Sequence, residues 1–190
     1  MKPENEIMIP TMLKAAGYVT AQVGKWHQLP LQPSDWGFDE YLRFPGSGCY
    51  WRAQTATYTE NGATKNLPEG VYLPDVMHEF LVDFLQRHKQ QPFYVHYAMS
   101  HVHNPIVRTP DSVPGSQTLY ADNIAYMDKL VGNLVVELDH LHLRETPSSF
   151  SRAITAPLDA SRRQESPCMA VRSRAIRAPC SKAAAACLSS

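Results

Sequence analysis

The spacing of apolar residues along the chain predicts strands that alternate with helices. Residues 18–23 alternate between apolar and polar positions, as in a strand, whereas the continuously apolar and aromatic run at 93–99 is typical of a central parallel strand. Apolar residues at three- and four-residue spacing predict helices at 11–16, from 75 to about 89, and at 120–141. Strands and helices in this order predict an α/β fold with a mainly parallel sheet.

Several residues mark where these elements begin and end. Gly17 suits a left-handed stop after the first helix, Gly24 is expected to open a turn after the first strand, and Asp75 is expected to cap the second helix. The stretch at 29–73, which contains Pro and Gly, is expected to be a long irregular excursion. The apolar stripe of the last helix is predicted to comprise Ile124, Met127, Val131, Leu134, Leu138 and Leu141.

Candidate chemistry follows both predicted strands. Lys25 and His27 come directly after the first strand, and His101 and His103 come after the second. Because the carboxyl ends of parallel strands open at one edge of a sheet, these side chains are expected to share one site, where a lysine and imidazoles would meet an anion. The alternative is a solvated lysine and a structural histidine beside Trp26. A zinc site is not favoured, since a His-x-His pair lacks further ligands at a fixed spacing.

Composition divides the chain near residue 146. Residues 1–146 carry 11 Lys and Arg against 16 Asp and Glu, whereas residues 147–190 carry 7 against 2 and contain no Gly, Tyr or Trp. The first part can close a core, and the second is expected to be disordered or weakly helical. A basic arm for nucleic acid is the alternative for this tail, but its cations are scattered and no aromatic residues are interleaved with them. No nucleic-acid partner is therefore expected.

The chain carries no sign of membrane insertion. Residues 1–6 are polar and acidic with no apolar run behind them, so neither a signal peptide nor a membrane span is expected. Cys49 is the only thiol before the tail, so no disulfide framework is indicated and cysteine usage points to no compartment. Localisation and oligomeric state stay open.

Two strings resemble signatures of the sulfatase family. Residues 17–27 read Gly-Tyr-Val-Thr-Ala-Gln-Val-Gly-Lys-Trp-His, which is similar to the family's Gly-Tyr-x-Thr-x-x-x-Gly-Lys-Trp-His, and residues 37–40 continue with Gly-Phe-Asp-Glu. His103 stands two residues before Pro105, as a family histidine does. The resemblance spans residues 11 to about 145. It implies a partial sulfatase or alkaline-phosphatase-like sandwich, incomplete at both ends.

The resemblance implies hydrolysis of a sulfuric ester, with a small or polymeric sulfate ester as substrate. Lys25 would contact the sulfate oxygens, and His27 and His103 would position the ester and assist the leaving oxygen. Ser47, in the loop at 45–48, would be a looser contact. Intact family members are often secreted, periplasmic or lysosomal.

The family's nucleophile and metal are not expected in this chain. The nucleophile is a formylglycine made from the cysteine of Cys-x-Pro-Ser-Arg, and Asp and Asn residues bind a calcium ion that neutralises the sulfate. No cysteine here lies in that context, and no Asp pair precedes Gly17. The chain is therefore expected to bind no Ca²⁺ and to be catalytically incompetent. The alternatives are a non-catalytic anion-binding module and a phosphoester or phosphonate hydrolase of the same superfamily.

The tail is interpreted as family sequence translated out of frame. In a shifted reading frame, each codon would consist of the last base of one observed codon and the first two bases of the next. Translated in this shifted frame, the DNA for residues 147–157 can encode Thr-Leu-Val-Val-Phe-Thr-Gly-Asp-Asn-Gly-Thr. This restores a strand and places the family's metal-binding Asp and Asn under Ile154 and Thr155. The same frame under residues 177–190 can conceal Lys-Gly-Thr-Met-Leu-Glu-Gly-Gly-x-Arg-Val-Pro-Leu-Ile, which resembles the family's later lysine loop and the strand behind it. An uninterrupted frame in the DNA across the codons for residues 144–147 would refute the hypothesis.

Overall fold

The computed structural model of the protein describes residues 3–28 and 30–143, which build a five-stranded sheet with helices. Strand β1 pairs in parallel with β2 and β5, and β3 and β4 extend the sheet as an antiparallel hairpin, in the order β4-β3-β2-β1-β5. This mixed sheet with its helices confirms the predicted α/β class. The elements are α1 (Ile9–Ala15), β1 (Val19–Lys25), β2 (Glu40–Phe44), β3 (Thr57–Glu60), β4 (Ala63–Asn66), α2 (Leu73–His88), β5 (Phe93–Ala98) and α3 (Leu119–His140), with single 3₁₀ turns at Pro3–Asn5 and Pro33–Trp36.

The chain divides into two units, Met1–Pro157 and Leu158–Ser190. Every described residue belongs to the first unit. The predicted tail at 147–190, including Ile154 and Thr155, lies outside the described residues, so its boundary and its disorder stay predictions. In the part that is described, no helix is both long and apolar enough to cross a membrane.

The core lies between the sheet and helices α2 and α3. Val23 of β1 and Leu42 of β2 are fully buried against Met77 of α2, in one cluster with Phe44, Cys49, Leu67 and Leu73. A second cluster joins Ala21 of β1 to both helices through Leu81, Phe84, Leu85 and Leu134. Burial of these side chains fixes the position of β1, which lies between β2 and β5 and packs into both clusters.

Thr20 and Asp39 join the start of β1 to the segment that enters β2. The backbone N–H of Thr20 donates to the Asp39 carboxylate at 3.0 Å, and the Thr20 hydroxyl lies 2.9 Å from the same oxygen. Burial alone would raise the pKa of Asp39, but hydrogen bonds from Lys14 and Thr20 together hold it below its usual value. The two sequence strings that resemble sulfatase signatures therefore meet through these two residues, whose contacts are structural.

A charged cluster at the same end of the sheet joins the start of β2 to α2. The guanidinium of Arg87 donates to both carboxylate oxygens of Glu40, at 2.6 and 2.8 Å, and His88 Nε2 lies 2.8 Å from one of them. The Arg87 hydrogen bonds are the largest cause of a lowered pKa at Glu40. A bidentate pair with one partly buried partner is the stronger kind of ion pair.

The Glu40 carboxylate is expected to make stability depend on pH. Its pKa is lower in the folded state, so its contribution is present above the unfolded value of about 4.3 and is lost as the pH falls through the folded pKa. Glu40→Gln should lower the free energy of unfolding by about 1 kcal/mol at pH 7 and by much less at pH 3, measured by urea denaturation. Asp128→Asn, on the exposed side of α3, is the control. An equal loss at both pH values would contradict the prediction.

Two of the predicted element boundaries are wrong around β1 and β2. Gly24 does not open a turn, because β1 continues through it to Lys25 and Gly24 pairs with both Arg43 and Ala98. The stretch at 29–73 is not one irregular excursion, since it contains β2, β3 and β4. Gly17 does end α1 with a positive φ of 86°, as predicted.

Details of the later elements also differ from the predictions. Asp75 does not cap α2, which begins at Leu73; its carboxylate instead accepts the Tyr126 hydroxyl, at 2.8 and 3.0 Å to its two oxygens. Strand β5 lies at the edge of the sheet formed by the described residues, not at its centre. Ile124 is 40% exposed, because the buried face of α3 is rotated toward Asn123, Tyr126, Met127, Leu130 and Leu134.

Candidate functional site

Three parallel strands end at one level of the sheet. Lys25 at the end of β1 pairs with Phe44 at the end of β2, and Gly24 pairs with Ala98 at the end of β5. The segments that follow therefore leave the sheet side by side, and we call this region the carboxyl edge. It is formed by residues 25–28, 45–50 and 99–105. In open parallel sheets this is the edge where ligands bind.

Lys25 and His27 flank a buried tryptophan on the first of these segments. The Trp26 indole N–H donates to the Leu31 carbonyl at 2.9 Å, and its ring meets Phe38 edge to face. Trp26 thus fixes the chain where β1 ends. Lys25 is half-buried and His27 is exposed. Within residues 3–28 and 30–143, no carboxylate forms an ion pair with Lys25.

His103 lies half-buried on the third segment, and its backbone is anchored. Its N–H donates to the Tyr50 hydroxyl at 2.9 Å. Its ring Nδ1 lies 2.8 Å from the Asn104 carbonyl oxygen, which can only accept, so this bond requires the proton on Nδ1. The neutral ring then leaves Nε2 as an acceptor, and the protonated ring offers an N–H there.

Ser47 lies on the second segment, half-buried, in a loop that contacts the His103 segment directly. Gly48 has a φ of 64°, and a Cβ built on it would overlap the carbonyl group of Asn104 and touch Pro105. This close approach holds the 45–50 loop against the 99–105 segment. Among the described residues, no hydrogen bond or ion pair joins the side chains of Lys25, His27, Ser47 and His103 to one another; the register brings their segments to one edge.

His101 has a structural environment. The ring is buried, and its Nε2 lies 3.0 Å from the Tyr72 hydroxyl. The rings of Tyr50, Tyr72 and Tyr126 surround it at centroid distances of 5.6–6.0 Å. Burial lowers the pKa of His101 to about 4, so the imidazole is neutral near pH 7. His101 was expected at the same edge as the other candidate residues, although the family resemblance implied no role for it, and its contacts indicate packing of the carboxyl edge.

The sequence analysis missed the residues that hold this edge together. Tyr50 contacts the His103 segment across 53 positions of the chain, and Trp26 binds the Leu31 carbonyl, a contact that its sequence neighbours Lys25 and His27 do not indicate. A fully buried tyrosine with a polar partner has no periodic signal in the sequence. The only local signal is the Gly48-Cys49-Tyr50 string after Pro45 and Gly46, which is compatible with a loop of defined conformation.

The described residues show no cluster of side chains for a metal ion such as calcium. Across residues 3–28 and 30–143, no three His, Cys, Asp or Glu side chains cluster in an arrangement that could hold a metal ion. Calcium prefers several oxygen ligands with carboxylates among them, and the described residues show no such cluster of carboxylates.

Comparison with known proteins defines the class. The sequence profile of the Sulfatase family matches residues 1–146, so the chain belongs to the sulfatase family. Arylsulfatase G of Rattus norvegicus is 29% identical over 76% of this chain and 34% of its own length. N-acetylgalactosamine-6-sulfatase of Homo sapiens is 26% identical over 78% of this chain and 32% of its own length. The chain thus spans about a third of the length of the curated relatives it matches.

Solved structures show the same fold. Ps i-CgsB, crystallised in complex with k-i-k-neocarrahexaose, superposes with a TM-score of 0.62 at 24% identity, over 73% of this chain and 37% of that chain. The PsFucS1 sulfatase from Pseudoalteromonas sp. gives a TM-score of 0.60 at 18% identity, over 74% of this chain and 36% of that chain. The α/β sheet described above therefore has the alkaline-phosphatase-like fold of sulfatases.

Proposed function

We propose that the carboxyl edge of this chain is the sulfate-binding part of a sulfatase active site, with Lys25, His27 and His103 as its principal residues and Ser47 as a further contact. The observation that supports this most directly is the parallel register that ends β1, β2 and β5 at one level. Membership of the sulfatase family supports it independently, because Lys25 and His27 lie within the string that resembles a sulfatase signature.

Each residue type suits one part of sulfate-ester cleavage. The ammonium group of Lys25 has no competing carboxylate among the described residues, so it is available to neutralise sulfate oxygens. The leaving oxygen must be protonated as it departs, and an imidazole is the side chain best matched to that task near pH 7. His103 presents Nε2 for this role because its Nδ1 proton is held by Asn104. His27, exposed beside Lys25, would help to position the ester.

Hydrolysis of a sulfuric ester is the activity we propose for a longer protein that contains this domain. The name of one relative, N-acetylgalactosamine-6-sulfatase, supports a sulfated sugar as the substrate class. This chain alone should not turn over, because none of its four cysteines lies in a Cys-x-Pro-Ser-Arg context that could supply the nucleophile. It should bind the anion without cleaving the ester, and no calcium contribution is required for that.

Sulfate binding tests the proposal. Inorganic sulfate titrated into the full chain, followed by NMR, should shift the signals of Lys25, His27 and His103 saturably. Lys25→Ala should weaken binding about fivefold, which corresponds to an ion pair of about 1 kcal/mol at a solvent-accessible site.

Lys65→Ala is the matched control, since it removes the same charge from β4 at the far side of the sheet, where Lys65 pairs with Glu60 at 2.7 Å. If both alanine variants bind sulfate alike, or if the chain shows no saturable binding, the proposal is wrong. An aryl sulfate assayed with calcium is expected to give no turnover above that of Lys25→Ala.

A non-catalytic anion-binding module is the second candidate. It is favoured by the lack of a metal-binding cluster in the described residues together with a retained lysine and histidine pair. Inorganic phosphate separates the candidates, because a general anion module or a phosphoester hydrolase would bind it at least as tightly as sulfate. Preference for sulfate supports the sulfatase site.

The tail at 147–190 is proposed to be family sequence read out of frame. The family match ends at residue 146, next to the point where the composition changes. The hidden frame recovers a strand followed by Asp-Asn-Gly, which would supply metal ligands in a longer protein. Genomic sequence across the codons for residues 144–147 decides between a shifted and an uninterrupted frame.

A further inference from the structure

A single buried hydroxyl contacts the His103 segment at three points. Tyr50 is 0% exposed, and its oxygen lies 2.9 Å from the His103 nitrogen, 2.9 Å from the His103 carbonyl oxygen and 3.0 Å from the Ser100 carbonyl oxygen. The His103 N–H donates to this oxygen, and the hydroxyl proton is donated to one of the two carbonyls or shared between them. Both ends of a short loop thus converge on one atom.

The ring that carries this hydroxyl is itself fixed. Tyr50 stacks on Tyr72 with centroids 6.0 Å apart and planes at 12°, and it packs against the buried ring of His101 at 5.6 Å. Its backbone carbonyl accepts the Leu73 N–H, at the start of α2, at 2.7 Å. The hydroxyl is therefore held by the core and not by the loop, so it can set where the loop lies.

The position of His103 follows from these contacts. The Tyr50 hydroxyl contacts both the N–H and the carbonyl oxygen of His103, and the His103 ring is oriented by the bond from Nδ1 to Asn104. The Gly48 contact places Asn104 and Pro105 against the same loop that carries Tyr50. With backbone and ring both fixed, the free Nε2 has one location relative to the end of β1.

We infer that Tyr50 is a positioning residue for His103, acting through the loop backbone without contacting the sulfated ligand. This inference rests on the proposed role of His103 at the sulfate site. Without the Tyr50 hydroxyl, the His103 N–H and two carbonyl groups lose their partner, and the imidazole loses its fixed location. The ligand affinity should then fall although every proposed ligand-contacting residue is still present.

The test compares Tyr50→Phe with Tyr72→Phe in the full chain. Both remove one buried hydroxyl from the same aromatic cluster, but Tyr72 bonds to His101 and not to His103. Tyr50→Phe should speed hydrogen exchange of the His103 amide about tenfold or more and weaken sulfate binding about fivefold. Tyr72→Phe should change both by less than about twofold, even where it lowers the melting temperature equally.

The outcomes separate this inference from the proposed function. A wild-type chain that does not bind sulfate overturns the proposed function. A wild-type chain that binds sulfate, with Tyr50→Phe binding it equally well or Tyr72→Phe weakening it as much, overturns the inference. If Tyr50→Phe does not fold, hydrogen exchange of the His103 amide in the wild-type chain is the deciding measurement. Protection of about tenfold or more supports the inference, whereas exchange at the rate of a free peptide overturns it.

Discussion

Gly24→Ala should destabilise the protein by at least about 3 kcal/mol, a large share of the total stability of a small domain. Gly24 has a φ of 106°, which an L side chain rarely adopts. A Cβ at this position would overlap the carbonyl group of Ala98 and lie 2.9 Å from the Met77 side chain. Because β1 packs into both core clusters, neither it nor β5 can move aside without opening the core.

Gly132→Ala is the matched control for this prediction. Gly132 lies in α3 without a positive φ, and an added Cβ would have no heavy atom within 4 Å. Alanine there should be neutral or should stabilise the helix by up to about 1 kcal/mol. Urea denaturation followed by circular dichroism measures both variants. A Gly24→Ala midpoint within error of the wild type would show that β1 and β5 do not approach each other as described.

Gly24 and Gly17 show that a sequence predicts a glycine with a local cause but not one with a long-range cause. A glycine after an alternating run is typical of a turn, and the first strand was predicted to stop there. The true reason for the glycine is the approach of a strand some 70 residues away, which no local pattern encodes. Gly17 was predicted correctly because its reason is local: it ends α1 with a left-handed residue.

The same distinction explains the other elements. Helices α2 and α3 were found within a few residues because their apolar spacing repeats over several turns. Strands β3 and β4 were missed because they are short and polar, and every residue of β4 is exposed. Strand β3 pairs with β2 and strand β4 with β3, so the stability of both comes from tertiary contacts.

The edge of the sheet at which the candidate residues lie was predicted, whereas the contacts that build this edge were not. The predicted strand ends placed Lys25, His27 and His103 at one edge, because the carboxyl edge of a parallel sheet follows from topology alone. The residues that fix this edge, Trp26 and Tyr50, act through contacts to the Leu31 carbonyl and the His103 backbone. Side chains that bind backbone atoms leave no complementary residue type in the sequence, so they become visible only in the structure.

Gly48→Ala should weaken sulfate binding about tenfold or more and lower the melting temperature by several degrees. The added Cβ would overlap the Asn104 carbonyl group, the group that accepts the His103 Nδ1 proton. Relieving that overlap requires the 45–50 loop and the 99–105 segment to separate, which displaces Asn104 and Tyr50 relative to His103. The orientation and the backbone position of the imidazole are therefore disturbed together.

Gly46→Ala is the control that separates the effect of this contact from the effect of backbone strain. Gly46 also has a positive φ, 80°, but an added Cβ would meet no heavy atom within 4 Å. Both variants thus carry the cost of a side chain in the left-handed region, about 1 kcal/mol, whereas only Gly48→Ala drives two segments apart. Sulfate titration and thermal denaturation of the pair measure the difference. Equal affinities would mean that the contact between the two loops is not what holds His103 at the carboxyl edge.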